Sequence, residues 1–259
     1  MIILFLVLFA LAIGWIEYSS LDTALRSSAR KRWPAHFGLF AISIAIQISL
    51  PISAVYSAML AETHSYGLFN WIKVPFAFEA FLSVSVMSFT YYALHFAMHK
   101  VPLLWRLHRV HHSDYNLDIS TTYRTHPLAV ALTLGIAFLV VSVIGAAPQI
   151  VVFYISFVVV VDVLHHSSIQ WPSFMERGMG KLLITPSQHH IHHSDFHRET
   201  DTNFSADFCF WDKLFGTFQA DPLREKADFK YGLKEVSAKD AANLDAILLS
   251  PFFDKKRGP

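Results

Sequence analysis

HFAMHKVPLLWRLHRVHHSD, residues 95–114, carries histidines at two spacings: H-x-x-x-H at His95 and His99, and H-x-x-H-H at His108, His111 and His112. The second spacing returns in HHIHH (189–193), at His189, His192 and His193. Residues three and four apart share a helix face, so each cluster can aim two or three imidazoles at one point. Neighbouring histidines point about 100° apart around a helix and can therefore reach different ions. The spacing predicts helices and a two-metal site. Thirteen of the fifteen histidines fall between His95 and His197; His36 and His64 lie outside every cluster and are assigned no chemistry.

Outward from that stretch, composition places the chain in the membrane class. Its 259 residues are 53% hydrophobic and 15% aromatic, high for a soluble protein. The 21 basic and 20 acidic side chains nearly cancel, and no basic stripe is interleaved with stacking aromatics, which sets a nucleic-acid partner aside. The single cysteine, Cys209, can form neither an internal disulfide nor a cysteine metal knuckle, so any metal here is held by nitrogen and oxygen.

Apolar runs organise the rest. Residues 1–16, MIILFLVLFALAIGWI, read as a transmembrane helix; a signal peptide is the rival, weakened because no basic residue precedes the run and no small-x-small site follows it. Arg26, Arg30, Lys31 and Arg32 form a basic connection to a second span over 37–60, with a kink expected at Pro51. A third run covers 74–94, and the polar segment 100–126 should lie outside the hydrocarbon. Runs four (128–147) and five (150–161) meet in a tight turn at Ala146-Ala147-Pro148. Run five is short, so a re-entrant hairpin is the alternative. The tail contains a helix-like stretch at 233–249.

Lys and Arg in the successive connections number four, one, four and none, with twelve in the tail from 166 onward. The positive-inside rule then puts the polar histidine segments and the tail in the cytoplasm, at a bacterial inner membrane or endoplasmic reticulum. The expected organisation is one integral-membrane domain: membrane helices over 1–79, a catalytic region over 80–218 and a cytosolic tail over 219–259. No nucleotide-binding glycine motif occurs, so any electrons must come from another protein.

The three clusters offer eight imidazoles, and His166 in HHSSIQWP a ninth. A single zinc ion is filled by four ligands, so the surplus favours two metals. Ligand type alone leaves iron, copper, nickel and zinc open.

The chain resembles the fatty acid hydroxylase and sterol desaturase superfamily of membrane-bound histidine-box di-iron oxygenases. The likeness covers roughly 80–235 and rests on TYYALHFAMH (90–99), LLWRLHRVHHSD (103–114), STTYRTHPL (120–128), HHSSIQWP (165–172), TPSQHHIHHSDFHRETDTNFS (185–205) and FWDKLFGTF (210–218). The resemblance implies an all-α polytopic fold of four to five transmembrane helices beneath a cytosolic helical cap that holds two irons. It also implies dioxygen as co-substrate, and electrons from a ferredoxin or cytochrome b5 type of donor. The outcome would be hydroxylation or desaturation of a fatty acyl chain, sphingolipid or sterol.

Carried over box by box, the implied ligands are His95, His99, His108, His111, His112, His166, His189, His192 and His193. His165 and His190 sit beside them with a ligand role and a supporting one both open. His126 is expected to line the site. His197, Asp114, Asp195 and Asp201 are candidate outer partners, because bound imidazoles commonly donate their second N–H to a carboxylate; Asn203 is expected to support them. Two positions depart from the family pattern: Phe96 stands where arginine is usual, and Ser88 where an aspartate precedes the first box.

The competing class is a histidine-rich metal transporter or metal-binding membrane protein. Transport sites use ionisable residues or broken helices near mid-bilayer, and runs 37–60 and 128–147 contain no charge or histidine. A catalytically silent scaffold is a third reading.

Overall fold

In lipid a backbone can satisfy its polar groups only internally, and the long apolar runs accordingly fold as helices. The computed structural model describes residues 1–225 and 228–253; Lys226, Lys255, Lys256 and Arg257, four of the tail's counted cations, lie outside them. The described residues are all-helical, without strands and with isolated antiparallel bridges at Leu183–Phe208 and Ser194–Tyr231. The chain runs through α1 (Ile2–Ser20), α2 (Thr23–Ser49), α3 (Ala54–His64), α4 (Leu68–Trp71), α5 (Phe76–Lys100) and α6 (Pro102–His112). A 3-10 turn (Ile119–Tyr123) precedes α7 (Pro127–Ile144) and α8 (Pro148–His166). Short helices complete the cap: α9 (Ser173–Met179), α10 (Pro186–His192), α11 (His197–Thr200), α12 (Phe210–Phe215), α13 (Ala238–Ala241), α14 (Leu244–Leu249) and a 3-10 turn at Ser250–Phe252.

Among the described residues, five helical segments are long and apolar enough to cross a bilayer: Ile2–Ser20, Thr23–Trp71, Phe76–Lys100, Pro127–Ile144 and Pro148–His166. This is a multi-pass membrane protein. Its second crossing differs from the single kinked span expected over 37–60. The helix stops at Ser49 and restarts at Ala54, with Pro51 in the break, where it has no N–H to continue the ladder. The restart, α3, packs on α7 through a face of small residues, Ala54, Ser57, Ala58 and Ala61. Small side chains let membrane helices approach closely, and Ser57 Oγ bonds both the Phe138 carbonyl and Ser142 Oγ at 2.7 Å.

Three further expectations are corrected. The basic stretch at 26–32 is no loop but the first turns of α2, and Arg32 is buried rather than solvated. Run five extends to a 19-residue helix, because Glu79 accepts the Ala147 N–H at 2.9 Å beside its first turn and the polar rings of His165 and His166 at its end find partners within the fold. The 233–249 stretch is not one helix. It is divided between α13, α14 and loops, with Ser237 and Asn243 each capping a new start.

Gly145 ends α7 at φ +63 and packs against Gly67 at φ +89, where an added Cβ would lie 2.6 Å from the Gly145 Cα. At the opposite end, Glu17 is the one buried residue of α1, and its carboxylate accepts the backbone N–H of Ile119 (2.9 Å) and of Ser168. These contacts tie α1 to the cap just beyond the ends of α6 and α8.

Candidate metal centre

Helix ends place the histidines. Val101 both closes α5 and opens α6, and Pro102 cannot extend the α5 ladder, so the chain turns there and folds α6 back on α5. That turn brings His95 and His99 against His108 and His112. The third cluster rides on α10, whose start is fixed by Pro186 and by a capping box between Thr185 and Gln188. His166 is the last residue of α8.

The nine histidines implied as ligands assemble into two groups, each with its facing nitrogens within 4.8 Å of one another: His95, His99, His108, His112 and His192 in one, His111, His166, His189 and His193 in the other. The expected divergence of adjacent histidines is realised in both H-x-x-H-H clusters. On α6, His108 and His112 serve the five-membered group while His111 crosses to the four-membered one. On α10 the assignment is reversed, with His189 and His193 in the smaller group and His192 in the larger.

Tautomer logic shows that the groups fit cations. A carbonyl can only accept, so His95 donates Nδ1–H to the Phe204 carbonyl and His192 donates Nδ1–H to the Thr202 carbonyl, both at 2.7 Å. Their Nε2 atoms are then bare lone pairs in neutral rings, and they face each other at 3.1 Å. His166 donates Nδ1–H to the Asp162 carbonyl (2.9 Å), and its bare Nε2 lies 3.1 Å from His111 Nε2 and 3.0 Å from His189 Nε2. Burial, reinforced by neighbouring rings, pushes His108, His111, His112, His189, His192 and His193 well below the usual imidazole value. Between His95 and His192 two neutral lone pairs converge with no proton between them, an arrangement that suits a cation. Imidazole–metal bonds of roughly 2.0–2.1 Å meeting at a right angle put nitrogens about 2.9 Å apart, and the observed separations run from 2.9 Å (His95–His108) to 3.2 Å (His189–His193).

Of the candidate outer partners, Asp201 is in place, with Oδ1 3.3 Å from His99 Nδ1 and Oδ2 held by Lys100 at 2.8 Å. His165 stacks on His189 with centroids 5.1 Å apart. His190 bonds the Tyr231 hydroxyl at 3.0 Å, outside both groups, and His197 opens α11, also outside them. Asn203, at φ 52, clamps the box from outside: its amide donates to the Gln188 and Gln219 carbonyls, and its Oδ1 accepts from Gln219 N–H.

Three assignments change. His126 does not line the groups; it caps α7, with Nδ1 accepting the Leu128 N–H and Nε2 bonded to the Leu248 carbonyl at 3.2 Å, because the proline after it fixes it at the helix start. Asp195 pairs with Arg224 at 2.7 Å instead of backing an imidazole. Asp114 takes both oxygens to Arg32 Nη1 at 2.7 Å and accepts from Thr121 Oγ1, while Asp118 takes Arg32 Nη2. Burial alone would raise the Asp114 carboxyl, but the facing His36 and the Arg32 and Arg124 guanidiniums outweigh it and hold it down at about 2. His36, unassigned in the sequence, thus packs within this anchor and bonds Ser120 Oγ at 2.7 Å.

Both departures from the family pattern sit away from the donor nitrogens. Phe96 packs edge-on to Phe204, the fully buried ring that touches His95, His99 and His192. Ser88 donates to Asp207 at 2.8 Å and accepts from Trp211 Nε1 at 2.9 Å. The carbonyls behind His95, His166 and His192 were not foreseen, since a main-chain acceptor leaves no residue-type signal. Glu17 and Asp162 could have been found as ionisable residues at the ends of apolar runs.

A cavity of about 310 Å³ runs between α2, α5, α7 and α8 and ends on His95, His108, His111, His166 and His189. Apolar side chains such as Leu94, Met98, Leu134 and Val158 make much of its wall. It therefore joins both histidine groups to the space between the membrane helices.

The fatty acid hydroxylase family model matches residues 80–217. An ornithine lipid hydroxylase from Rhizobium tropici is 28% identical over 83% of this chain and 62% of its own length. Human alkylglycerol monooxygenase is 30% identical over 65% of the chain and 36% of its own, and mouse cholesterol 25-hydroxylase 31% over 52% and 44%. The chain thus spans less than two thirds of these relatives. No solved structure matches it significantly. The family match, which covers every histidine of the two groups, shows that the chain belongs to the fatty acid hydroxylase family.

Proposed function

We propose that this protein is a membrane-bound di-iron oxygenase that hydroxylates or desaturates a lipid, using dioxygen and electrons from a separate redox protein of the ferredoxin or cytochrome b5 type. The observation that carries this reading is the convergence of nine imidazoles, eight buried and His95 partly so, into two groups that both reach the end of a cavity between membrane helices. The printed names of the relatives, hydroxylases of ornithine lipid and of cholesterol and a monooxygenase of alkylglycerol, support a lipid with a hydrocarbon portion.

In this reading His95, His99, His108, His112 and His192 hold one iron, and His111, His166, His189 and His193 the other. Irons held there would supply the activation of dioxygen that an unactivated C–H bond requires. The chain's own part is positioning. Leu94, Met98, Leu134 and Val158 receive the hydrocarbon and exclude water, so that one carbon is presented to the histidine groups. Phe204 and Thr202 fix the rings of His95 and His192 through their carbonyls, and Phe204 seals that side with its ring. The region 80–218 is the catalytic part, and its cap lies on the cytoplasmic face, where a soluble donor can reach it.

Protein from iron-replete cells should contain close to two irons per chain. Lipids from cells with and without the protein, compared by mass spectrometry under labelled dioxygen, should differ in an oxygenated or unsaturated product. Lipid oxidation that survived alanine at both His111 and His192 would sink the mechanism.

A further inference from the structure

One wall of the lipid cavity is out of keeping with a purely hydrocarbon occupant. Asp162 lies on α8 one turn before His166, and its side chain remains 36% exposed where it faces the cavity. Among the described residues it is the one carboxylate lining that space, and no lysine or arginine lines it. Its main-chain carbonyl is used, by His166 Nδ1 at 2.9 Å and Thr122 Oγ1 at 3.4 Å. Its carboxylate is not: Oδ1 stands 3.5 Å from His166 Nδ1, whose proton already points at that carbonyl. Gln47, Thr122, Thr125 and Thr133 add further polar lining. An ionisable side chain within a span is costly without a partner and marks a functional contact.

We propose that Asp162 is the residue that selects the lipid, its carboxylate receiving a hydrogen-bond donor, an ammonium or a hydroxyl, carried by the substrate next to the carbon offered to the histidine groups. The proposal rests on the reading of this cavity as the lipid site. The same carboxylate repels a second anion, so a free fatty acid cannot place its head there. Recognition of a donor by an acceptor inside a cavity also discriminates, because an analogue lacking the donor displaces water and leaves the acceptor unpaired.

The test compares three probes with one hydrocarbon chain: hexadecylamine, 1-hexadecanol and hexadecyl methyl ether, the last without a donor. Binding to the full chain in nanodiscs is measured by equilibrium displacement, and metal content is measured on the same samples. The unsubstituted protein should hold the amine or the alcohol about tenfold more tightly than the ether, as a charge-assisted hydrogen bond predicts. Asp162→Leu should abolish that preference while keeping ether affinity within roughly threefold. Asp162→Asn should weaken the amine most and retain its metal.

Equal binding of all three probes by the unsubstituted protein, or a donor preference that survives Asp162→Leu, overturns the proposal alone. Loss of metal from both variants overturns it in favour of a role in orienting His166. Failure of every probe to bind, the ether included, overturns the lipid-site reading and the proposal with it.

Discussion

The five-membered group draws on α5, α6 and α10, whereas the four-membered group draws on α6, α8 and α10. Behind the rings the two differ more. In the larger group His95, His99 and His192 each have a protein acceptor at Nδ1, two carbonyls and the Asp201 carboxylate. In the smaller group His166 has one, while among the described residues the buried Nδ1 atoms of His111 and His189 have none, as that of His112 has none in the larger group. The cavity reverses the weighting, touching three of the four rings of the smaller group but two of the five in the larger. The difference teaches a division of labour. The larger group offers more imidazoles and is more tightly braced; the smaller one offers fewer and lies open to the cavity, the arrangement that catalytic metal sites generally have.

The largest expected effect comes from removing one ring at a time. His111→Ala should reduce product formation by about a hundredfold or more, above the roughly 10- to 100-fold that outer partners are worth. It should leave close to one metal per chain by elemental analysis, in the larger group. His192→Ala reaching the same metal count with the smaller group filled would confirm that the sites are separable; loss of both metals from either variant would break the comparison.

Arg32→Ala should act on both groups alike. It strands Asp114 and Asp118 in the cap, at a cost of about 3–5 kcal/mol in thermal unfolding. The pH dependence has a definite sign. Asp114 is held down at about 2, so its stabilisation is present above its unfolded value of about 3.9 and is lost as pH falls through the folded one. Arg32→Ala should therefore narrow its stability deficit in acid.

Asp201→Ala should separate the groups again, lowering metal affinity about 10- to 100-fold in chelator competition, in the larger group only. Ser88→Ala is the smallest change, about 1 kcal/mol for its lost hydrogen bonds, with metal content unaffected. A metal loss there would make Ser88 part of the centre.

The histidine boxes were legible because helical spacing fixes the angle between residues three, four and one apart, and that angle separates His111 from His112 and His192 from His193; which rings of other helices each one meets is seen only in the fold. His166 was recognised as a candidate beside that spacing, and its partners lie 23 and 55 residues away in sequence. Separations of that order explain what stayed hidden. Arg32 meets Asp114 across 82 residues, and nothing in a run of four cations marks the one that folds inward. The interruption at Pro51 was visible, but whether it bends or breaks a helix depends on the α7 face that receives α3. His126 looked like a site residue because it sits in a motif; its role, capping α7 and holding the Leu248 carbonyl, depends on where the tail returns.

The reversed assignment on α6 and α10 acts as a dovetail. Each of these helices contributes rings to both groups, so an ion held by one group would already set the pitch and rotation of the rings in the other. Loading of the unsubstituted protein should then show positive coupling, the second ion binding more readily than the first, while either site still fills alone when the other is disabled. Metal scarcity would thus favour molecules with both groups filled over molecules with one.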